Sequence, residues 1–138
     1  MKNYLVLIML PLVVIGCSNG ATTSTAPTAL LAPPLTIETF TGTLKPHPDL
    51  TVPFVAQNSG PVTATLVTLS PDSALVLGFS LGTWDGTSCA AVITQDHATQ
   101  GSTLTIRVSG ATVFCIRIYD SQGDVVNPET FQLALTFP

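Results

Sequence analysis

The chain has 138 residues, of which 46% are hydrophobic and 9% are charged, and its formal net charge is −4 at pH 7. This length suits about one domain, and the charged fraction is well under the roughly 25% of ordinary soluble proteins. Only four residues are Lys or Arg, so the chain lacks the basic surface that binds a phosphate backbone. We therefore expect no nucleic-acid partner.

The N-terminal segment is typical of an export signal. Lys2 provides a positive charge, and residues 5–15 form an apolar run that is interrupted only by Pro11. This run is shorter than the about 20 residues that a transmembrane helix needs. We therefore predict a signal peptide over residues 1–16.

The run ends in Val14-Ile15-Gly16-Cys17, which resembles the lipobox of bacterial lipoproteins. The resemblance implies cleavage before Cys17, diacylglycerol on its sulfur and a further acyl chain, such as palmitate, on its amine. Two or more acyl chains hold a protein stably on a membrane. We expect a lipid anchor in the bacterial cell envelope, at the outer membrane if the source is Gram-negative. The alternative is an ordinary secretory signal in which Cys17 is incidental.

The segment after Cys17 consists of small polar residues, Ala and Pro, without charge or apolar periodicity. Such a composition cannot bury enough apolar surface to fold. We predict that residues 17–35 are the lipidated Cys and a flexible linker, and that residues 36–138 form the folded domain.

The folded domain shows the period-two hydrophobic alternation of β-strands. The alternation is strong in five segments, 50–55, 75–81, 103–108, 113–118 and 131–137, and weaker in three, 36–44, 62–69 and 90–95. Turn-forming residues separate the segments. About eight short strands predict an all-β fold, either an antiparallel β-sandwich or a small barrel. Pro53 lies inside one segment, so we expect either that this strand is at a sheet edge or that the proline ring replaces an unpaired N–H.

Three cysteines are present. In an exported protein they divide into the lipidated Cys17 and a pair, Cys89 and Cys115, which an oxidising compartment joins as a disulfide. Two free thiols or a metal pair are the alternatives, but His47 and His97 do not have ligand-like spacing with the pair. Cys115 occupies an outward position of its strand, so we expect the bridge to staple a loop over the outer side of the sheet.

Residues 78–82, Gly-Phe-Ser-Leu-Gly, match the Gly-x-Ser-x-Gly pattern of serine hydrolases. That nucleophile elbow needs a strained turn from strand to helix. Here the match lies within the strand predicted over 75–81, and a turn follows it. We therefore predict no enzymatic activity and no catalytic residue. A small hydrolase that uses Ser80, or an acid near His97, is the less favoured alternative.

Five residues are candidate ligand contacts. Trp84, the single tryptophan, closes a strand beside Asp85 and could stack on a sugar, and Tyr119 with Asp120 offers a similar pair. Asp120, Asp124 and Glu129 fall in one loop region and suit Ca²⁺, although no EF-hand spacing is present. This hypothesis predicts that Trp84, Asp85, Asp120 and Asp124 converge on one rim. The alternative is that Trp84 caps the core and that the acids form turns. We predict no other cofactor.

The stretch from about Thr39 to Phe137 resembles the bacterial pre-peptidase C-terminal domain family. The resemblance is carried by residues 40–44, 60–66, 75–81, 114–120 and 131–136. It implies a jelly-roll-like β-sandwich of the kind found on secreted peptidases and other exported proteins, which sometimes binds matrix, polysaccharide or calcium. This chain departs from the pattern, because a lipid anchor takes the place of a peptidase and the acidic residues near the start of the domain are only Glu38 and Asp49.

Together these features predict a lipid-anchored protein of the cell envelope that presents a non-enzymatic binding or structural module. Its partners are expected to be the membrane, through the acyl chains, and a polysaccharide or protein ligand at the cell surface. The alternatives are a carbohydrate- or calcium-binding module and, less favoured, a small hydrolase or a peptidase accessory domain.

Overall fold

The computed structural model describes residues 31–138, which contain eight β-strands and no helix. The strands are β1 (Thr36–Leu44), β2 (Asp49–Ala56), β3 (Gly60–Ser70), β4 (Leu77–Trp84), β5 (Cys89–Ala98), β6 (Thr103–Val108), β7 (Thr112–Tyr119) and β8 (Glu129–Phe137). Each segment with period-two alternation is a strand, including the three weaker ones.

The strands form two four-stranded antiparallel sheets. Their spatial orders are β1-β8-β3-β6 and β2-β7-β4-β5. This is the strand order of a jelly roll, in which each sheet alternates strands from the two halves of the chain. The predicted all-β sandwich is therefore confirmed. Pro53 lies in β2, which pairs only with β7, so its predicted place on an edge strand is also confirmed.

The hydrophobic core lies between the two sheets. Alternate residues of β4 and β8, such as Leu81 and Leu133, point inward and are fully buried. Phe54 lies against Phe114 and Phe137, with ring centroids 5.8 Å and 5.3 Å apart. Both sheets thus bury one apolar face, which is the main source of stability in a sandwich.

The bounds of β4 differ from the sequence prediction. Asp72 organises the preceding turn, because its side chain accepts a hydrogen bond from the amide of Ala74 and its carbonyl accepts one from Leu75. Local hydrogen bonds of this kind compete with the sheet, so Leu75 is excluded from β4. At the other end, the segment predicted to turn after Leu81 continues in the sheet as far as Trp84.

β4 is buried on both faces, whereas the alternation predicted one apolar face. Its six residues from Leu77 to Gly82 are all buried. On the outward side Gly78 lies beneath the ring of Tyr119, and a Cβ at residue 78 would clash with that ring. The outward positions carry little or no side chain because neighbouring residues cover them.

The predicted disulfide is present. It joins Cys89, the first residue of β5, to Cys115 in β7, with a Cα–Cα distance of 5.8 Å. Both strands flank β4, so the bridge crosses β4 within one sheet and does not connect the two sheets. The outer-side position is confirmed, but the bridge holds the start of an edge strand and not a loop.

The predicted signal peptide, Cys17 and the linker up to residue 30 lie outside the described residues. Residues 31–35 precede β1 and belong to no strand. Within residues 31–138 no helix is long and apolar enough to cross a membrane.

Candidate functional site

The outward surface of the β2-β7-β4-β5 sheet, called the outer face below, carries aromatic, charged and hydroxyl side chains. Outward and inward residues alternate along each strand. The larger outer-face side chains are Asp49 and Thr51 on β2, Trp84 on β4, Asp96 on β5, and Arg117 and Tyr119 on β7.

Arg117 and Asp49 form a two-pronged ion pair across β7 and β2. Arg117 Nε donates to Asp49 Oδ1 at 2.6 Å, and Nη2 donates to Oδ2 at 2.7 Å. The hydrogen bond from Arg117 holds the pKa of Asp49 below its ordinary value, and the same bond raises the pKa of the guanidinium. Both side chains are substantially exposed, so the pair adds little to stability. Its consequence is an electrically neutral pair with a fixed orientation.

Tyr119 extends this cluster toward β5. The guanidinium carbon of Arg117 lies 4.8 Å from the centre of the Tyr119 ring, which is a cation–π contact. The Tyr119 hydroxyl donates to Asp96 Oδ1, and this hydrogen bond raises the pKa of the phenol. A chain of contacts thus runs from β2 through β7 to β5, across the outward side of Gly78.

A cavity of ≈ 430 Å³, called the Trp84 pocket below, opens on the outer face. Trp84, which is partly buried, forms one side, and the ion pair of Arg117 and Asp49 forms another. The remaining lining residues are Thr51, Thr87, Ser88 and Cys89. The β4–β5 hairpin reaches the pocket because its chain passes over Gly82, and the Cys89–Cys115 disulfide holds it there.

Asp85 organises the hairpin that supplies Thr87 and Ser88. Its Oδ1 accepts hydrogen bonds from the amides of Thr87 and Ser88 at 2.8 Å and 2.7 Å, and from the Thr87 hydroxyl at 3.0 Å. Its Oδ2 accepts from the Ser88 hydroxyl at 2.7 Å. These bonds, led by the one from the Ser88 hydroxyl, hold the pKa of Asp85 well below its ordinary value. The structure gives Asp85 the role of ordering the pocket wall.

The expectation that four candidate residues converge on one rim is wrong. Trp84 is the last residue of β4, whereas Tyr119 pairs with Gly78 near its start, and Asp120 and Asp124 follow Tyr119. Six positions of β4 separate Trp84 from Gly78, so the two groups lie about 20 Å apart, at about 3.3 Å per residue. Strand pairing between distant parts of the chain, which alternation does not reveal, causes this separation.

Asp120 orders the loop between β7 and β8. Its carboxylate accepts hydrogen bonds from the amides of Gly123, Asp124 and Val125 at 2.7 Å, 3.0 Å and 3.3 Å. Desolvation raises the pKa of Asp120, but these backbone hydrogen bonds outweigh it and lower the pKa. His47 Nδ1 lies 3.7 Å from Asp120 Oδ2. Within residues 31–138 no group of three or more His, Cys, Asp or Glu side chains is arranged to hold a metal; calcium binding stays a prediction.

The Gly-x-Ser-x-Gly match lies inside β4, as predicted. Ser80 is buried and has Thr94 and Arg117 as its cross-strand neighbours. Among the described residues β5 follows β4, so the turn from strand to helix that a nucleophile elbow needs does not occur there. His97 lies exposed on edge strand β5.

The sequence alone indicates Trp84 as a site residue, but it does not indicate the residues that complete its pocket. Arg117 and Tyr119 are two positions apart on one strand, which indicates that they share a face. Their partners Asp49 and Asp96 could not be assigned, because they lie on strands distant in sequence: 68 residues separate Asp49 from Arg117.

Neither a protein-family model nor a curated protein matches this chain. Among solved structures the chain is similar to PliG of Aeromonas hydrophila, a periplasmic lysozyme inhibitor of g-type lysozyme. The TM-score is 0.51, the identity is 12%, and the similarity covers 72% of this chain and 83% of the other. At this identity the likeness concerns the fold alone.

Proposed function

We propose that the chain is a lipid-anchored protein of the bacterial cell envelope whose β-sandwich is a non-enzymatic binding module. The observation that carries this proposal is the outer face, on which Trp84 and Arg117 line one pocket and Tyr119 packs against Arg117. Trp, Arg and Tyr are the residue types that contribute most to binding free energy in known interfaces. The outer face is therefore the surface that contacts the ligand.

The order of this face supports the proposal. Arg117 is held by Asp49, Tyr119 is held by Asp96, and the hairpin after Trp84 is held by the disulfide. Side chains that already have their bound orientation lose less conformational entropy on association. Binding energy is then not spent on ordering the site.

Envelope location is supported by two independent features. The lipobox-like sequence that ends at Cys17 favours export and acylation. The Cys89–Cys115 disulfide favours an oxidising compartment. The periplasmic location of PliG agrees with this assignment.

The test is an array of glycans and matrix proteins probed with the full-length protein in detergent micelles, with and without calcium. A double variant, Trp84→Ala with Arg117→Ala, removes the proposed contacts. The matched control, Thr63→Ala with Thr105→Ala, removes a hydroxyl pair on the exterior of the other sheet. We expect the wild type to bind at least one ligand on the array. The Trp84→Ala, Arg117→Ala variant should no longer bind it, whereas the control variant should. Equal binding by both variants, or no ligand for the wild type, would contradict the proposal.

A second candidate function, inhibition of a lysozyme, is favoured by the fold shared with most of the PliG chain. The test measures the lysis of a cell-wall suspension by a g-type lysozyme with increasing amounts of the protein. If the wild type inhibits lysis and the Trp84→Ala, Arg117→Ala variant does not, the lysozyme binds at the outer face. Lysis at an unchanged rate would remove this candidate.

A further inference from the structure

The hydrogen bonds of the Trp84 pocket determine which of its hydroxyl groups can accept a further hydrogen bond. Thr87 Oγ1 and Ser88 Oγ both donate their protons to Asp85. A hydroxyl that donates in this way keeps lone pairs for accepting. The hairpin wall therefore presents two acceptors to a ligand, and the carboxylate that orients them is fully engaged.

Arg117 supplies donors on the facing wall. Its Nε and Nη2 atoms bond to Asp49, and the hydrogen bonds within residues 31–138 leave the Nη1 group unused. A guanidinium has five N–H donors in a rigid plane. The pocket thus combines donors from Arg117 with acceptors from Thr87 and Ser88.

The side chains that line the pocket carry no net charge, because Asp49 neutralises Arg117 through both oxygens, and the Asp85 carboxylate behind the hairpin wall further disfavours an anion. Trp84 adds an apolar surface. A ligand that fits has hydroxyl groups that both donate and accept, an apolar side and no charge. This is the chemistry of a neutral sugar ring, in which C–H groups form one face and hydroxyl groups surround it.

We infer that the Trp84 pocket binds a short segment of a neutral oligosaccharide, with Trp84 against the ring and with Arg117, Thr87 and Ser88 on its hydroxyl groups. The cavity of ≈ 430 Å³ falls within the about 300–1,000 Å³ of small-molecule sites. This inference rests on the proposed function and names the ligand class of the same face.

The chain reports on this site directly, because Trp84 is its only tryptophan. The experiment follows the fluorescence of full-length protein in a detergent without a sugar headgroup during titration with cellohexaose, maltohexaose and hexa-N-acetylchitohexaose. An oligogalacturonate of similar length is the anionic control. We expect a saturable change with at least one neutral oligosaccharide and none with the anionic one.

Variants separate the pocket chemistry from a folding defect. Arg117→Lys keeps the charge but not the planar fork, and Thr87→Val keeps the shape and the backbone bond to Asp85. We expect each to weaken binding about tenfold, while Thr63→Val on the other sheet binds like the wild type. Circular dichroism melting confirms that each variant is folded.

The saccharide assignment is overturned if no neutral oligosaccharide gives a saturable change, if the anionic one binds equally well, or if Thr63→Val weakens binding as much as Thr87→Val. Protein ligands on the array that depend on Trp84 and Arg117, without a saccharide response, would overturn this assignment and leave the proposed binding function intact. Loss of both signals would overturn both.

Discussion

The carbonyl oxygen of Ala90 lies against Gly82, in the space that a side chain at residue 82 would fill. The sheet registers shift at this point, with Leu81 opposite Ile93 and Gly82 opposite Ala91. The start of β5 therefore passes over β4 and approaches β7. The Trp84 pocket exists because the hairpin is folded onto the sheet in this way.

Replacement of Gly82 by Ala is expected to lower the free energy of unfolding by about 1–3 kcal/mol, because the new Cβ would clash with backbone that cannot move freely. Urea unfolding followed by circular dichroism measures this change. Gly110→Ala is the matched control, since a Cβ there meets nothing within 4 Å. Equal unfolding midpoints for the two variants would contradict the close approach at Gly82.

Loss of the disulfide is expected to destabilise the domain. On the chain-entropy model, a bridge between residues 26 positions apart contributes about 3.5 kcal/mol. The Cys89→Ala, Cys115→Ala double variant should therefore unfold at a lower urea concentration than the wild type. It should also lose ligand binding at the outer face before global unfolding, because the hairpin is released. An unchanged unfolding midpoint would show that the bridge is not formed in the protein.

The ion pair between Asp49 and Arg117 predicts a specific pH dependence. The pKa of Asp49 is lowered in the folded state, so the contribution of the pair is complete above the ordinary carboxyl pKa and is lost as the pH falls through the folded value. Wild type should exceed Asp49→Asn in unfolding free energy by at most about 1 kcal/mol at pH 7, since the pair is exposed. This difference should shrink below about pH 4; a difference independent of pH would contradict the pairing.

The hydrogen bond from Tyr119 to Asp96 predicts a delayed alkaline titration. The pKa of Tyr119 is raised, so its contribution to stability is complete below the ordinary tyrosine pKa and is lost as the pH rises through the folded value. Cleavage before Cys17 would remove Tyr4, so ultraviolet absorbance of the mature protein follows Tyr119 alone. Asp96→Asn should move its titration to lower pH, whereas Asp124→Asn, in a separate loop, should leave it unchanged.

Acylation of Cys17 predicts that Cys17→Ser abolishes incorporation of labelled palmitate and releases the protein from the membrane fraction. Serine lacks the sulfur that carries diacylglycerol. Without this modification we expect no cleavage before residue 17, and therefore no free N-terminal amine that could be acylated. Mass spectrometry of the wild-type N-terminus and cell fractionation measure both effects. Serine at residue 18 offers a control, because Ser18→Ala should leave acylation intact. An unmodified thiol in the exported wild type would contradict the anchor.

The strands could be predicted because burial of one sheet face imposes a local period of two. The start of β4 could not be predicted, because Leu75 lies in a turn that hydrogen bonds to Asp72 stabilise. Local hydrophobic alternation does not indicate these bonds. The double burial of β4 was missed for a related reason. Its outward residues are covered by Tyr119 and Ala90, which come from other strands.

The candidate site was predictable only in part. A single tryptophan at a strand end indicates Trp84 as a site residue, and Trp84 lines a pocket. The sequence also suggests Asp120 for the same rim, although Trp84 and Asp120 lie near opposite ends of β4. No local pattern marks Arg117 as a site residue, because its partner Asp49 is brought to it only by the pairing of β2 with β7. Antiparallel pairing over long sequence separations is the information that local patterns lack.

Pro53 has a consequence for molecules held close together on one membrane. It stands in the middle of β2, an edge strand, and its ring nitrogen carries no hydrogen. Proline on an edge strand generally has its nitrogen on the solvent side, so an incoming strand from a neighbouring molecule would lack a donor at this position. In the anchored state that we propose, where local concentration is high, this edge resists sheet-to-sheet polymerisation and favours separate molecules.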